Sequence, residues 1–474
     1  MAERNKNVIL IVVDALRARS IGSYGKDPSF SPTIDRLGKE GALFENTYTT
    51  TVTTDPTITA IMTGRHPISN SFINNETKIT RKELDNIKKI PLIAERLKEN
   101  GYYTGAIDWL SRWFERGFDY YSGGIVSGEK QKEQATKLDK IYKYMRIIDL
   151  ATLHLVKRDF LNRIYYLLKY EKLPYDPANV VINDAIDFVD KNKNRNFFLY
   201  VHLWDTHYPY SRPKTAKSVL LDSIQDRYLE CINFVDGEIK KLLLFLENKK
   251  LLDKTLVVLT GDHGESLTEH SIYISHRGLY EETVKVPLIF KGPGIPSVKM
   301  DGLVQNIDIV PTILNYLNID YNENEFDGNT LISLLTKKRK NKKLVYFEDL
   351  TYGEYKIRKD VRLRGIRKGK YKYIQSLRGE KKFLFDIYPK IDELILEEEL
   401  YDLEKDPCEK NNLAKYQKKL KNNLRAELER FVKNLRDISL KKKKIHSPLR
   451  KNEIMKKDYN EEKIMKKFRQ MGYW

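Results

Sequence analysis

Val8-Ile-Leu-Ile-Val-Val13, followed at once by Asp14, is the stretch that settles the fold. It is continuous, apolar and rich in β-branched residues, the composition of a strand buried on both faces of a parallel sheet. Runs of the same kind recur at Phe197-Phe-Leu-Tyr-Val-His-Leu203 and Leu256-Val-Val-Leu-Thr260, and Val286-Pro-Leu-Ile-Phe290 follows. Between them the spacing predicts helices over 31–40, 90–100, 177–192 and 223–248. Strands alternating with helices indicate an α/β fold whose large domain holds a mainly parallel sheet flanked by helices. Ligands of such sheets bind outside the carboxyl ends of the strands, so the residues just after each run carry the chemistry.

The whole chain has 474 residues, and 85 Lys+Arg against 66 Asp+Glu leave a formal charge of +19. An apolar share of 41% excludes a wholly disordered chain. Cys231 and Cys408 are the two cysteines, which argues against a disulfide scaffold and a Cys-type zinc site. The longest apolar runs fall well short of the roughly 18 residues of a membrane span, and the first residues lack a signal-peptide core. A cytoplasmic location, at most peripheral to a membrane, is the expectation.

Three units follow from the pattern: a large α/β domain over 1–335, a small α+β C-terminal domain over 344–436, and a basic tail over 437–474. A helical insertion at about 128–172 interrupts the first. There Leu138, Ile141, Met145, Ile148 and Leu155 recur at helical spacing with Lys140, Lys143, Arg146, Lys157 and Arg158 between them. Two readings stay open, an insertion packed on the core and a lid or basic membrane-surface helix pair. Past the charge run 337–343, strand-like pieces at 361–367, 371–375 and 382–385 precede a helix over about 415–435. Residues 438–474 hold 12 Lys/Arg and 4 Asp/Glu, a net +8.

Asp14 ends the first buried run, Asp205 and His207 follow the second, and Asp262 and His263 the third. One Asp after a strand is an ordinary helix cap; three such loops on one sheet edge converge. Mixed Asp/His sets suit Zn²⁺ or Mn²⁺ better than Ca²⁺, which favours all-oxygen shells. The Thr-rich segment 47–65 leads into Pro56, which fits the first turn of a helix. Thr54 then lies at a helix N-terminus, where the dipole and backbone N–H groups favour an anion. It reads either as a simple cap or as a nucleophile, the second only if a metal or base lowers its pKa.

With these residues in place the sequence resembles the sulfatase branch of the alkaline phosphatase superfamily. The likeness runs through Asp14-Ala-Leu-Arg-Ala-Arg-Ser-Ile-Gly-Ser-Tyr-Gly25, Ser31-Pro-Thr-Ile-Asp-Arg-Leu37, Thr54-Asp-Pro56 with Thr63-Gly-Arg65, and Asp205-Thr-His207-Tyr-Pro-Tyr210. It continues in Asp262-His-Gly-Glu265 with His276, Leu279-Tyr-Glu-Glu282 and Val286-Pro-Leu288, then Leu400-Tyr-Asp-Leu-Glu-Lys-Asp-Pro407 with Asn411-Asn-Leu413. The resemblance implies that Asp14, Asp262 and His263 are metal ligands and that Thr54 is both metal contact and nucleophile. It implies that His207 contacts the transferred group and that His276 lies beside the substrate. Asp205, His207 and His276 are the candidates for a second metal site. The implied cofactor is a divalent metal, Zn or Mn rather than Ca. His202 and His270 are read as structural and Glu265 as support for the ligands.

The sequence departs from dedicated sulfatases in two ways. Thr54 stands where they carry the Cys or Ser converted to formylglycine, with Ile58 in place of an Arg, and a Thr cannot undergo the cysteine-type conversion. Ala15 stands where many have a second metal-binding Asp. Phosphate mono- or diesters are therefore the favoured substrates in the sequence reading, as in the similar phosphoethanolamine and phosphoglycerol transferases, with sulfuric ester hydrolysis as the alternative. The expected partner is an anionic small molecule, glycan or lipid headgroup, with the basic tail touching an anionic membrane or polymer. The +19 charge alone also admits a nucleic-acid or lipid-binding protein, though no specific nucleic-acid motif is present.

Overall fold

In the computed structural model of the chain, residues 6–25, 30–75, 79–108, 115–123, 176–208, 210, 223–272, 274–336, 344–355, 358–378 and 395–445 are described. The expected insertion at 128–172, the strand piece at 382–385 and the tail beyond 445 lie outside them. Strand β1, Asn7–Val13, is buried at every position. It sits between β5, Phe197–Leu203, and β6, Thr255–Gly261, and pairs in parallel with both. On the far side of β5 come β3, Tyr103–Ile107, and then β4, Tyr120–Ser122, also parallel.

Beyond β6 the sheet changes direction. The expected strand at 286–290 forms as two pieces, β7 (Lys285–Val286) and β8 (Leu288–Lys291), on either side of Pro287. Proline has no N–H for a sheet ladder, so the strand breaks there. Both pieces pair antiparallel with β2, Ala42–Tyr48, and β8 also with β6. Strand β9, Val298–Gln305, closes this end parallel to β2.

Alternation along the central strands sorts the core into two halves. Val8, Leu10 and Val12 of β1 pack with Tyr200 and Val258 against helices α2 (Thr54–Thr63), α3 (Ile93–Glu99) and α6 (Ile309–Tyr316). Ile9, Ile11 and Val13 face the other way, toward α4 (Ala178–Asn192) and α5 (Ile224–Asn248). Helix α5 buries Tyr228, Ile232, Val235, Ile239, Leu242 and Leu246, a stripe at three- and four-residue spacing that rides the sheet along its length. Helix α1, Pro32–Glu40, is tied to α5 through Asp236, whose carboxylate accepts from the Thr33 and Ile34 amides.

A second sheet is antiparallel in the order β10 (Leu344–Tyr355), β11 (Arg358–Lys368), β12 (Tyr371–Arg378), β13 (Ile395–Asp402). Helix α7, Lys418–Ile445, packs Leu424, Leu428 and Val432 against it and against Ile68 and Ile73 of the first unit. The helix runs ten residues past its expected end, because nothing in the lysine run 441–444 breaks a helix and cations favour its C-terminal turn.

The two sheets share a buried polar joint. Lys372 of β12 is fully buried and meets Glu409 at 2.9 Å and Glu281 at 3.1 Å. Burial alone would raise the Glu281 carboxyl, but Lys372, Lys285 and Arg367 outweigh it and hold it at about 2. Replacing Lys372 by Met leaves two buried carboxylates without their main cation, which costs about 3–5 kcal/mol. Thermal unfolding of that variant is expected to begin well below the wild type at neutral pH; an unchanged midpoint would show that the joint carries no stability.

Candidate active site

The parallel register brings the motif residues together. Val13 pairs with Leu203 and with Gly261, so Asp14 and Asp262 emerge side by side from adjacent strands. Asp262 Oδ1 accepts the Ala15 amide at 2.9 Å and the His263 amide at 2.7 Å. Those bonds fix the carboxylate and leave Oδ2 buried without a hydrogen-bond partner, as Asp14 Oδ1 is. The Ala15 backbone is left-handed, φ 54°, a conformation that costs a non-glycine residue energy. Its N–H on Asp262 and its carbonyl, which accepts Tyr228 OH at 2.7 Å, hold it there.

Thr54 is the first residue of α2, one position after the N-cap Thr53. Its hydroxyl does not cap the helix. Instead it donates to Asp14 Oδ2 at 3.3 Å and lies 3.3 Å from His263 Nε2. His263 Nδ1 is 2.8 Å from the Gly264 carbonyl, so Nδ1–H donates there and Nε2 presents its lone pair to Thr54. Gly264 allows this loop to press on its neighbour: a Cβ there would fall 2.0 Å from the Glu282 carbonyl.

Two further histidines border the pair. The His207 ring is anchored by Nδ1 on the Tyr208 carbonyl at 2.8 Å; burial lowers its pKa, and His263 lowers it further. The His276 and His263 rings are 4.8 Å apart, and burial together with His263, Arg277 and His207 keeps His276 neutral. Neutral imidazoles leave lone pairs for a metal or hydrogen bonds for a substrate oxygen. Asp205 goes elsewhere. It follows the strand on the face of α4, and its Oδ2 accepts the Ala178 amide at 2.9 Å at the start of that helix. Among the described residues it does not join His207 and His276 as a ligand set, because its carboxylate turns to the start of α4.

Asp14 and Asp262 are fully buried, and among the described residues neither forms an ion pair with Lys or Arg. Burial pushes the Asp14 carboxyl well up, and the Asp262 and Glu265 charges push it further. Glu265 itself is raised to about 8, chiefly by burial. Such a set is costly unless a cation neutralises it. A divalent metal fits: the ligand atoms of Asp14, Asp262 and His202 all lie within 4.8 Å of one another. His202 is the residue that the sequence reading passed over. It lies inside β5 rather than after it, so only its even position, on the same face as Asp14, marks it out. A second group, His270, Glu282 and Glu409, has cations of the protein at hand: Arg19 lies 2.9 Å from Glu282, and Lys372 meets Glu409.

Comparison with known proteins matches this geometry to a family. The family model described as Sulfatase matches residues 6–319, and one described as N-sulphoglucosamine sulphohydrolase, C-terminal, matches 268–437. An N-acetylglucosamine-6-O-sulfatase of Bacteroides thetaiotaomicron is 25% identical over 92% of this chain and 87% of its own. The human N-acetylglucosamine-6-sulfatase is 27% identical over 70% of this chain and 64% of its own. A solved structure in complex with its substrate D-glucosamine-2-N,6-O-disulfate aligns at TM-score 0.64 with 20% identity, over 91% of this chain and 98% of that one. The structural likeness shows the fold. These relatives are sulfatases, and none supports the sequence reading's preference for phosphate esters.

Asp205 gives a pH test away from the Thr54 cluster. Burial raises its pKa from 3.8 to about 7, so it disfavours folding increasingly as pH rises from about 4 to 7, and fully above that. Asp205→Asn keeps the acceptor for Ala178 without the charge. Its unfolding midpoint is expected to gain on the wild type by about 1 °C more at pH 8 than at pH 5, for each kcal/mol relieved. Equal differences at both pH values would refute the assigned burial cost.

Proposed function

Because the chain belongs to the sulfatase family, we propose that it hydrolyses a sulfuric ester on an anionic glycan, with Thr54 as the nucleophile. The single observation that carries this reading is the Thr54 hydroxyl 3.3 Å from both Asp14 Oδ2 and His263 Nε2, in a pocket with two uncompensated carboxylates. Asp14, Asp262 and His263 would hold a divalent cation. When bound, it lowers the threonine hydroxyl pKa and neutralises charge on the substrate's oxygens. The chain's own residues do the rest. Thr54 Oγ1 gives its proton to the acceptor beside it as the Oγ1–S bond forms and the bond from sulfur to the sugar oxygen breaks, and that proton passes on to the sugar oxygen, which leaves as the alcohol. His207 and His276 border this site and hydrogen-bond the sulfate or leaving oxygen. Water then attacks sulfur and gives one proton to Thr54 Oγ1 as the Oγ1–S bond breaks, and the group leaves as hydrogen sulfate. Sulfated glucosamine is the substrate class suggested by the relatives' names, and Zn or Mn the ion suggested by the mixed Asp/His donors.

One observation favours a second reading. Thr54 is an unmodified alcohol, and an alkoxide on phosphorus reaches the same in-line chemistry, so a phosphate ester is the alternative substrate. Aryl sulfate, phosphate monoester and phosphodiester, offered to one metal-loaded preparation, separate the two. Turnover of the sulfate ester above both others is expected; preference for a phosphate ester would replace the first reading by the second. Thr54→Ala is expected to lose ~10⁴-fold or more in turnover with the unfolding midpoint unmoved. Full activity in that variant would exclude Thr54 as nucleophile under either reading.

A further inference from the structure

His202 is completely buried in the middle of the molecule, yet its Nε2 has no hydrogen-bond partner. A polar atom left so in a packed core is costly. Its other nitrogen is well placed. Nδ1 lies 3.0 Å from Asp108 Oδ1, and Asp108 Oδ2 accepts Tyr121 OH at 2.7 Å. With both Asp108 oxygens engaged, the imidazole Nδ1–H is fixed as the donor and Nε2 carries the lone pair. The ring is clamped between aromatic neighbours, 5.0 Å from the Trp204 ring and 5.9 Å from that of Tyr200.

The sheet shows where that lone pair belongs. His202 pairs with Val12, so it lies on the same face as Asp14, one step below it. Ile107 pairs with Val201, which sets Asp108 beside His202 on the next strand. The Asp14, His202 and Asp262 ligand atoms are mutually within 4.8 Å, and the unpartnered atoms of the three are Asp14 Oδ1, His202 Nε2 and Asp262 Oδ2. Carboxylate–imidazole–metal chains of this kind orient a ligand histidine and raise its basicity.

We infer that His202 is a ligand of the cation held by Asp14 and Asp262, and that Asp108, braced by Tyr121, is its positioning residue. The inference rests on the reading of those two aspartates as metal ligands. It puts two imidazoles, His202 from below and His263 from the Thr54 side, on one ion, a nitrogen content that selects Zn²⁺-like over Ca²⁺-like ions.

The test uses the full-length chain, stripped with a chelator and titrated with Zn²⁺ and Co²⁺ in a calorimeter. Asp108→Asn is expected to weaken binding by about 10–100-fold, and His202→Gln by at least as much, each altering the visible spectrum of the Co²⁺ form. Where the variants fold poorly, the wild type still decides. Its Co²⁺ form is expected to show at least two paramagnetically shifted, exchangeable imidazole N–H signals, one for each ligand histidine. Unchanged dissociation constants and spectra in both variants, or a wild-type Co²⁺ form with no shifted imidazole other than that of His263, would overturn the role of His202 while leaving Asp14 and Asp262 as ligands. A wild type that takes up neither ion would overturn the metal reading itself.

Discussion

Two buried carboxylates on neighbouring parallel strands are the constraint on which the rest of the structure depends. Asp14 and Asp262 are held next to each other by the β1–β6 register and by backbone amides, not by cations of the protein. Two charged carboxylates in a dry core repel each other. The fold accepts that cost, together with a left-handed Ala15, at the one point where the strand ends meet. A divalent ion in the pocket would offset that cost, and it would lie beside the helix end that carries Thr54.

Alternation along the central strands sets which strand residues face Thr54. Asp14 and His202 lie on the face covered by α2, which delivers Thr54 to the same place. Asp205 lies on the opposite face and is used to start α4. The second sheet grips this arrangement from outside: Glu348 of β10 donates its N–H to the Thr50 carbonyl at 3.0 Å, four residues before Thr54. Strand β10 thus supports the loop that leads into α2, and α7 packs on Ile68 and Ile73 beyond that helix.

Much of this was legible in the sequence. Runs such as 8–13 and 256–260 announced strands buried on both faces, because nothing polar interrupts them. Asp14, Thr54, Asp262 and His263 were identified because each follows a run or opens a helix, and the family resemblance tied them together. What escaped depends on register. Strand β2, Ala42–Tyr48, has no clean apolar run, since Glu45 and Asn46 at its half-buried middle interrupt it. His202 sits inside an apolar strand, where a lone histidine reads as core. Only the pairing of β5 with β1 and β3 places it between Asp108 and the two aspartates. Asp205 follows a strand just as Asp14 and Asp262 do, and sequence spacing cannot show that its carboxylate turns to the Ala178 amide instead.

The most direct measurement is a crystal structure of the Zn²⁺- or Mn²⁺-loaded full-length chain, with the ion located by its anomalous scattering. A peak bounded by the Asp14 and Asp262 carboxylates, with the Thr54 hydroxyl alongside, is the expected result. A peak at the His270–Glu282–Glu409 group alone, or a loaded crystal in which Asp14 and Asp262 share a proton and no ion, would contradict it.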